Sequence, residues 1–185
     1  AGTITTMIRG LHAKGLVDYK VRSGVKLTPK GRRAALHVLR RHRLIESFLV
    51  EIMHMDWSEV HEDAEALEHV VSDRFLARMD EMLGFPSTDP HGDPIPASGS
   101  ELPANDAPLL SEAEPGVYEV SRVDDQAADF LDWLSGAKLK PGQPFTLQKI
   151  DPVAGVFTLK VPGTRALLPV SQTIAAKIRI IPAEV

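Results

Sequence analysis

The sequence predicts a multidomain α+β fold, and three observations lead to this prediction. Apolar residues recur at helical spacing through residues 28–83, which predicts long amphipathic helices. A stretch rich in Pro, Gly, Ser and Ala follows at residues 84–116 and is typical of a linker. Beyond it, short apolar and β-branched runs alternate with Gly and Pro turns, which predicts a small β-barrel.

The composition is that of an ordinary globular chain. Of its 185 residues, 43% are hydrophobic and 25% are charged, which suits one large domain or two small ones. No apolar run approaches the ~20 residues that span a bilayer, and no stretch has the charged start and apolar core of a signal peptide, so we expect no membrane partner. The absence of cysteine excludes disulfides and thiolate ligands and fits a cytoplasmic location.

Charge is distributed very unevenly along the chain. Residues 1–50 contain 11 Lys and Arg against two acidic residues, a net charge of +9. The remainder contains 10 basic residues against 23 acidic ones, a net charge of −13. This asymmetry predicts one end that binds a polyanion and another that binds cations, although a merely solvated basic face is the alternative.

The first residues predict part of a DNA-binding domain. Thr3 is a candidate N-cap of a short helix, and residues 16–21 and 25–27 are predicted strands joined by a turn at residues 22–24. A short helix followed by a basic hairpin is the second half of a winged helix-turn-helix. The first half is missing from this sequence, so we expect the winged helix to be N-terminally incomplete.

The exposed positions of that helix and hairpin are the candidate contacts with double-stranded DNA. In a winged helix the recognition helix enters the major groove and the hairpin lies along the phosphate backbone. The candidates on the helix are Thr3, Thr5, Thr6 and Arg9, and the candidates on the hairpin are Lys20, Arg22 and Lys26.

The next helix is predicted from Thr28 to about residue 53. His42 falls within its apolar stripe, and Glu46 lies one turn later. A histidine on an apolar face is often a hydrogen-bonded core residue. The carboxylate at i+4 favours the other interpretation, in which the pair shares a cation with the following helix.

A second helix, predicted for residues 58–83, contains the sequence HEDAEALEH at residues 61–69. Its donor side chains follow a stripe beside the apolar stripe and therefore face a neighbouring element. Imidazole and carboxylate donors of this kind, without thiolate, suit a divalent ion such as manganese or ferrous iron. The alternative is a solvated charged face. The donors are His61, Glu65, Glu68 and His69.

Two other functions remain open for such a set of residues. The first is an enzyme, either a di-metal hydrolase or an oxygen-activating di-iron bundle. The bundle requires Glu-x-x-His on each of two helices, and none of these histidines lies three residues after a glutamate. The second is a structural metal domain without a regulatory role, against which the basic hairpin argues.

The histidine and glutamate spacing resembles the diphtheria-toxin-repressor family of metal-dependent transcriptional regulators. The similarity rests on HxxxE at residues 42–46, HxxxExxEH at residues 61–69, and a connecting helix and wing like those of the family. It implies a homodimer that binds operator DNA when loaded with metal and controls genes for metal uptake or export.

The resemblance also implies two metal sites. Manganese-type members have a glutamate where iron-type members have a cysteine, as this chain has at Glu65, which implies Mn²⁺ with Fe²⁺ as the other candidate. The second site involves TDPHGDPIP at residues 88–96, which is similar to a Cys-Pro-His-Gly stretch of manganese-type members with Asp89 in place of cysteine. The implied primary ligands are His42, Glu65, Glu68 and His69. The implied secondary ligands are Glu46, Asp89 and His91, with His61 as a further candidate.

The C-terminal part resembles the SH3-like domain of the longer family members. By that resemblance, a side chain near its start reaches the second metal site, and Asp124 or Asp125 is best placed to do so. The predicted parts are an incomplete winged helix at residues 1–36, a helical metal-binding and dimerisation domain at 37–100, a linker at 101–115 and an SH3-like domain at 116–185.

Overall fold

The computed structural model describes most of the chain, namely residues 2–20, 24–97, 102 and 107–183. The chain begins with helix α1 (Gly2–Ala13), followed by a hairpin of strands β1 (Val17–Lys20) and β2 (Gly24–Leu27). The strands are antiparallel, with Val17 opposite Leu27. The short helix and the hairpin predicted here are confirmed as elements.

The first turn of helix α2 (Pro29–Glu51) packs on residues 15–16, which lie just before the hairpin. The hydroxyl of Thr28 caps the helix, since it accepts a hydrogen bond from the Gly31 amide at 3.0 Å, and it donates one to the Gly15 carbonyl at 2.7 Å. Gly31 lies on the backbone of Leu16, whose carbonyl oxygen would be 1.8 Å from an added Cβ. A larger residue would push the two elements apart, so this glycine permits their close contact.

The single helix predicted for residues 58–83 is wrong, because the structure has two helices there. Helix α3 (Val60–Glu68) ends before residues 69–72, and helix α4 (Asp73–Met82) follows. Ser72 caps α4, and its hydroxyl accepts a hydrogen bond from the Phe75 amide at 3.3 Å. Phe75, in the first turn of α4, is 55% exposed.

Arg41 of α2 stabilises this break from outside. Its guanidinium donates to the carbonyl oxygens of Glu68, at 2.8 Å, and Val71, and to the Asp73 carboxylate at 2.6 Å. Carbonyls at the end of a helix have no partner within it. A distant side chain therefore supplies the hydrogen bonds that a continuous helix would have made.

The C-terminal part is a five-stranded antiparallel sheet in the order β6-β5-β4-β3-β7. The strands are β3 (Gly116–Val123), β4 (Pro144–Asp151), β5 (Val156–Lys160), β6 (Leu168–Ser171) and β7 (Ile178–Pro182). A 3-10 turn precedes β3, helix α5 lies between β3 and β4, and helix α6 precedes β7; their bounds are Leu110–Glu112, Ala128–Ala137 and Gln172–Ala175. The short strands predicted for this region are confirmed and form a small antiparallel sheet, whereas the predicted β-barrel stays a prediction.

Buried apolar side chains form two clusters, one among α2, α3 and α4 and one between the sheet and α5. Trp57, in the loop after α2, belongs to the second cluster. Its indole N–H donates to the Ser135 hydroxyl of α5 at 2.7 Å, which joins the helical part to the sheet. Among the described residues, no helix is both long and apolar enough to cross a membrane.

Candidate metal centre

Three potential ligand atoms meet between α2 and α3. His42 Nε2 lies 2.9 Å from Glu46 Oε1 and 3.2 Å from His61 Nδ1, and the latter two atoms are 3.1 Å apart. The four-residue spacing of His42 and Glu46 places both on one face of α2. Adjacent ligands bonded at ~2.1 Å to an octahedral ion are ~3 Å apart, so the triangle fits one face of such an ion.

Glu68 determines which nitrogen of His42 can bind a cation. The Oε2 atom of Glu68 lies 2.9 Å from His42 Nδ1. An ionised carboxylate only accepts hydrogen bonds, so Nδ1 donates its proton to Glu68. In the neutral ring, Nε2 then presents its lone pair to Glu46 and His61, as a metal ligand must.

Protons hold this cluster together when no cation is bound. The hydrogen bond with Glu46, aided by the negative charges of Glu46 and Glu68, raises the pKa of His42 against the opposing effect of burial. Burial is the largest influence on Glu46 and would raise its pKa, but hydrogen bonds and charges of the surrounding histidines outweigh it and lower that pKa. A proton on His42 therefore competes with a cation for this site.

Glu46 also belongs to a second, buried group of potential ligands with Asp89 and His91. His91 Nδ1 lies 3.9 Å from Glu46 Oε2 and 4.0 Å from Asp89 Oδ1. His91 Nε2 donates to the Trp57 carbonyl at 3.0 Å, so in the neutral ring Nδ1 carries the lone pair. Among the described residues, neither His91 Nδ1 nor Asp89 Oδ2 has a hydrogen-bond partner, although both atoms are buried.

Without a cation, the buried, ionised carboxylate of Asp89 in the second group destabilises the folded protein. Burial, reinforced by the charges of Asp93 and Glu46, raises the pKa of Asp89 to about 7. Arg43, whose Nε lies 3.6 Å from the Asp89 carboxylate, opposes this shift. Burial lowers the pKa of His91, which favours the neutral, ligating form of the imidazole. A divalent cation would relieve the cost of the bare carboxylate, so the residues fit such an ion.

The structure brings most of the predicted metal ligands together, but not all. Those that meet are His42, Glu46, His61, Glu68, Asp89 and His91. Glu65 is exposed on α3. His69 is 70% exposed and lies 3.5 Å from Glu68. The role of Glu65 and His69 in a primary site stays a prediction.

Asp124 does not join this cluster in the structure. Its carboxylate instead accepts hydrogen bonds from Arg122, at 2.9 and 2.7 Å, and from Arg179, at 2.9 and 2.8 Å. These bonds outweigh the effect of burial and lower the pKa of Asp124. Its neighbour Asp125 lies 2.5 Å from the Lys177 ammonium.

The candidate DNA-binding residues lie in the N-terminal part. Those that are exposed are Thr6, Arg9, Lys20 and Lys26. Thr5 is half-buried on α1. Arg22 and the side chain of Thr3 lie outside the described residues.

Sequence reasoning missed several residues that shape the centre. Trp57 stacks on the His91 ring with the ring centroids 5.4 Å apart. Arg41 donates to the Glu68 carbonyl at the end of α3, and Arg43 lies 3.6 Å from the Asp89 carboxylate. The position of Trp57 in a break between helices was the available signal. Arg41 and Arg43 belong to a run of basic residues, where nothing in the sequence separates them from solvated neighbours.

Two known domain families match the chain. Residues 28–97 match the metal binding and dimerisation domain of the iron dependent repressors. Residues 109–182 match the FeoA domain. The first match covers the helices and the loop that carry both ligand groups, and the second covers the C-terminal sheet.

Individual relatives are repressors. The iron-dependent repressor IdeR of Mycobacterium tuberculosis is 32% identical over 174 residues, which cover 87% of this chain and 75% of that protein. The diphtheria toxin repressor of Corynebacterium glutamicum is 36% identical over 97 residues, which cover 52% of this chain and 42% of that protein.

Solved structures extend the similarity to the whole described fold. A manganese-dependent transcriptional repressor in complex with manganese superposes with a TM-score of 0.86 at 36% identity, covering 98% of this chain and 85% of that one. The apo form of the manganese-activated repressor ScaR superposes with a TM-score of 0.77 at 35% identity, covering 98% and 86%. These relatives are repressors, so they do not support the enzyme alternative. The chain belongs to the family of metal-dependent repressors that includes IdeR and the diphtheria toxin repressor.

Proposed function

We propose that this protein is a metal-dependent transcriptional repressor that binds operator DNA as a homodimer when loaded with manganese, with ferrous iron as the other candidate ion. One observation carries the proposal. His42, Glu46 and His61 place three ligand atoms 2.9–3.2 Å apart between α2 and α3. The names of the relatives, iron-dependent and manganese-dependent repressors, support it.

The chemistry of the donors supports manganese or ferrous iron. The first group offers two imidazole nitrogens and a carboxylate oxygen, and the chain contains no cysteine. Such sets suit borderline and hard divalent ions rather than ions that prefer thiolate. The bound ion would supply the positive charge that neutralises Glu46 and joins α2 to α3.

Helix α2 is the element through which this centre would act on DNA binding. It has 23 residues, a length of ~35 Å, and it carries His42 and Glu46 in its second half. Through Thr28 and Gly31, its first turn contacts Gly15 and Leu16, which lie between α1 and the hairpin. Holding α2 against His61 of α3 would restrict the orientation of the N-terminal part. Operator affinity would rise because the conformation that binds DNA would become the major one in the metal-loaded protein, whereas it is a minor one without metal.

The N-terminal part would bind DNA as a winged helix, with α1 as the recognition helix. Thr6 and Arg9 are exposed on α1, and Lys20 and Lys26 are exposed on the hairpin. Contacts of Lys20 and Lys26 with phosphates would position α1 in the major groove. This role places the protein in the cytoplasm with its DNA target.

The dimer would form through α4 and its flanking loops. Val70, Phe75, Met82 and Phe85 are 75%, 55%, 50% and 69% exposed. These four side chains fall within residues 70–85, and exposed apolar side chains that cluster in this way favour a protein–protein contact surface. Met79 is buried and Leu83 packs against the helical core, so neither belongs to this surface.

A primary, regulatory site is proposed at Glu65, Glu68 and His69, next to His42. Glu68 is its best-supported member, because one carboxylate oxygen contacts His42 and the other lies 3.5 Å from His69. Glu65→Ala should abolish the manganese response of DNA binding without loss of stability, since Glu65 is exposed. An undiminished response would remove Glu65 from the site.

The function is tested with DNA selected from a random pool in the presence of Mn²⁺. His61→Ala should lose at least tenfold in manganese-dependent affinity for the selected DNA, since removal of a metal-site partner costs ~10–100-fold. Glu62→Ala, an exposed residue beside His61, is the matched control and should bind like the wild type. Wild-type binding that is unaffected by Mn²⁺, by Fe²⁺ and by a chelator would overturn the proposal.

A further inference from the structure

Trp57 belongs to one part of the molecule by sequence and to the other by packing. It lies in the loop between α2 and α3, within the residues 28–97 that match the metal binding and dimerisation domain. The residue is 3% exposed and is part of the apolar cluster between the C-terminal sheet and α5. Its indole N–H donates a hydrogen bond to the Ser135 hydroxyl of α5 at 2.7 Å. A side chain of the helical part thus fills part of the core of the C-terminal part.

The same residue contacts the imidazole ring of His91 in two ways. The indole and imidazole rings are stacked, with their centroids 5.4 Å apart and an interplanar angle of 18°. The Trp57 carbonyl accepts a hydrogen bond from His91 Nε2 at 3.0 Å. The ammonium group of Lys140 lies 4.9 Å from the centroid of the indole ring and favours its position through a cation–π interaction. Residues of the C-terminal part therefore hold the indole ring that contacts His91.

Trp57 acts on the His91 ring, whereas other residues hold the His91 backbone. The His91 amide donates to Asp89 Oδ1 at 2.9 Å, and the His91 carbonyl accepts from the Val123 amide at 3.0 Å. On the ring itself, Nδ1 has no hydrogen-bond partner among the described residues. The hydrogen bond to the Trp57 carbonyl requires a proton on Nε2, so in the neutral ring the lone pair is on Nδ1. Loss of Trp57 packing would free the ring to turn and to exchange its tautomer without displacing the loop backbone.

We propose that Trp57 is a positioning residue through which packing of the C-terminal part on the helical part fixes the orientation and tautomer of the His91 ring. The inference rests on the proposed function, because it assigns the C-terminal part a role in the metal response of DNA binding. Its consequence is that this response depends on Ser135, whose hydroxyl bonds to Trp57 and to the Leu131 carbonyl within the C-terminal part.

The first measurement is the nitrogen chemical shift of the His91 ring in the metal-free chain, recorded by NMR and assigned with His91→Gln. At pH 8 the ring is neutral, because burial lowers the pKa of His91, and the wild type should show one tautomer, protonated at Nε2. Trp57→Leu removes the stack and the indole N–H and should show a mixture of tautomers. Trp133→Leu is the matched control, because Trp133 packs against the same apolar cluster. It should lower stability and leave the His91 signals unchanged.

The second measurement is the Mn²⁺-dependent affinity for the selected DNA. Trp57→Leu should lose roughly tenfold or more, since loss of a partner that orients a metal ligand costs ~10–100-fold. Trp57→Phe keeps a ring for the stack but removes the N–H, and Ser135→Ala removes the acceptor of the same hydrogen bond. Each should lose about threefold, the effect of one net hydrogen bond. The double variant should lose no more than either single one, because both changes remove one shared interaction.

Three results would overturn the proposal. The first is a wild-type tautomer in Trp57→Leu. The second is an equal change of the His91 signals in Trp57→Leu and Trp133→Leu, which would indicate a general loss of the C-terminal core. The third is Ser135→Ala with an undiminished metal response. If Trp57→Leu does not fold, Trp57→Phe and Ser135→Ala decide, since each removes a single hydrogen bond. A wild type whose DNA binding ignores Mn²⁺ would instead disprove the proposed function, and the His91 signals would still decide the role of Trp57.

Discussion

Gly92 lies directly on the backbone of Ser121 in strand β3, where an added Cβ would come within 2.1 Å of the Ser121 carbonyl oxygen. On one side of this contact, the His91 carbonyl accepts a hydrogen bond from the Val123 amide at 3.0 Å. On the other side, the Asp93 carboxylate lies 3.3 Å from the Arg122 guanidinium. The loop that carries Asp89 and His91 therefore rests on the C-terminal sheet, and its ligands are positioned by both parts of the molecule.

Gly92→Ala tests this contact. The substitution adds a methyl group against backbone and forces a φ of +86° on a non-glycine residue. Gly84→Ala is the matched control, because Gly84 has a φ of +71° but open space around it. Gly92→Ala should lower the free energy of unfolding in urea by about 2 kcal/mol more than the control does. Equal losses would mean that the loop does not depend on its contact with Ser121.

Asp89→Asn tests the electrostatics of the metal-free protein. The folded state raises the pKa of Asp89 from 3.8 to about 7, so it binds this proton more tightly than the unfolded state does. The resulting stabilisation is complete below about pH 4 and is lost as pH rises through about 7. Asparagine does not titrate and keeps the acceptor oxygen for the loop amides.

With a chelator present, Asp89→Asn should therefore be more stable than the wild type at pH 8, by on the order of 3 kcal/mol, and should lose this advantage at pH 4. Thermal unfolding across this pH range provides the measurement. With saturating Mn²⁺ the order at pH 8 should reverse, because only the wild type retains the carboxylate ligand. If the variant is less stable than the metal-free wild type at pH 8, then the ionised, buried carboxylate of Asp89 does not destabilise the folded protein.

Arg41→Ala tests how the break between α3 and α4 is held. The change removes the donor to the Glu68 and Val71 carbonyls and to the Asp73 carboxylate. We expect a loss of about 2–4 kcal/mol in the free energy of unfolding, because buried acceptors are left without partners. Arg32→Ala, an exposed arginine on the same helix, should change it by less than ~0.5 kcal/mol. A similar loss for both variants would assign no special role to Arg41.

Lys26→Ala and Arg9→Ala should weaken DNA binding in different ways. If Lys26 contacts phosphate, its loss should weaken binding to all sequences and reduce the salt dependence of log K by about one unit. If Arg9 contacts a base, its loss should reduce the preference for selected over random DNA by ~1–3 kcal/mol. Salt titrations with both DNAs distinguish the two effects. Equal losses on both DNAs for Arg9→Ala would exclude base reading by this residue.

Local patterns in the sequence were sufficient for most of the secondary structure. Helical periodicity from Thr28 predicted α2 (Pro29–Glu51) to within a few residues, because an N-cap and a proline at the first turn mark its start. The strands of the C-terminal sheet were predicted from apolar runs bounded by turns. The spacing of His42 and Glu46 also led to the prediction that this pair shares a cation with the next helix, since i, i+4 spacing brings donors together on one helix; this site stays a prediction.

Only the tertiary structure decided which of these donors meet, and with what. Glu46 belongs to both ligand groups because α3 brings His61 to it and the loop at residues 88–94 brings Asp89 and His91. Arg41 of α2 donates a hydrogen bond to the Glu68 carbonyl at the end of α3. Arg179, 55 residues away along the chain, donates to the carboxylate of Asp124, which we had predicted to be a metal ligand. Sequence periodicity reports how a residue is oriented on its own element. It does not show which charged residue from a distant part of the chain lies closest after the elements pack. Because the interaction between charges weakens with distance, the closest opposite charge becomes the partner of a carboxylate.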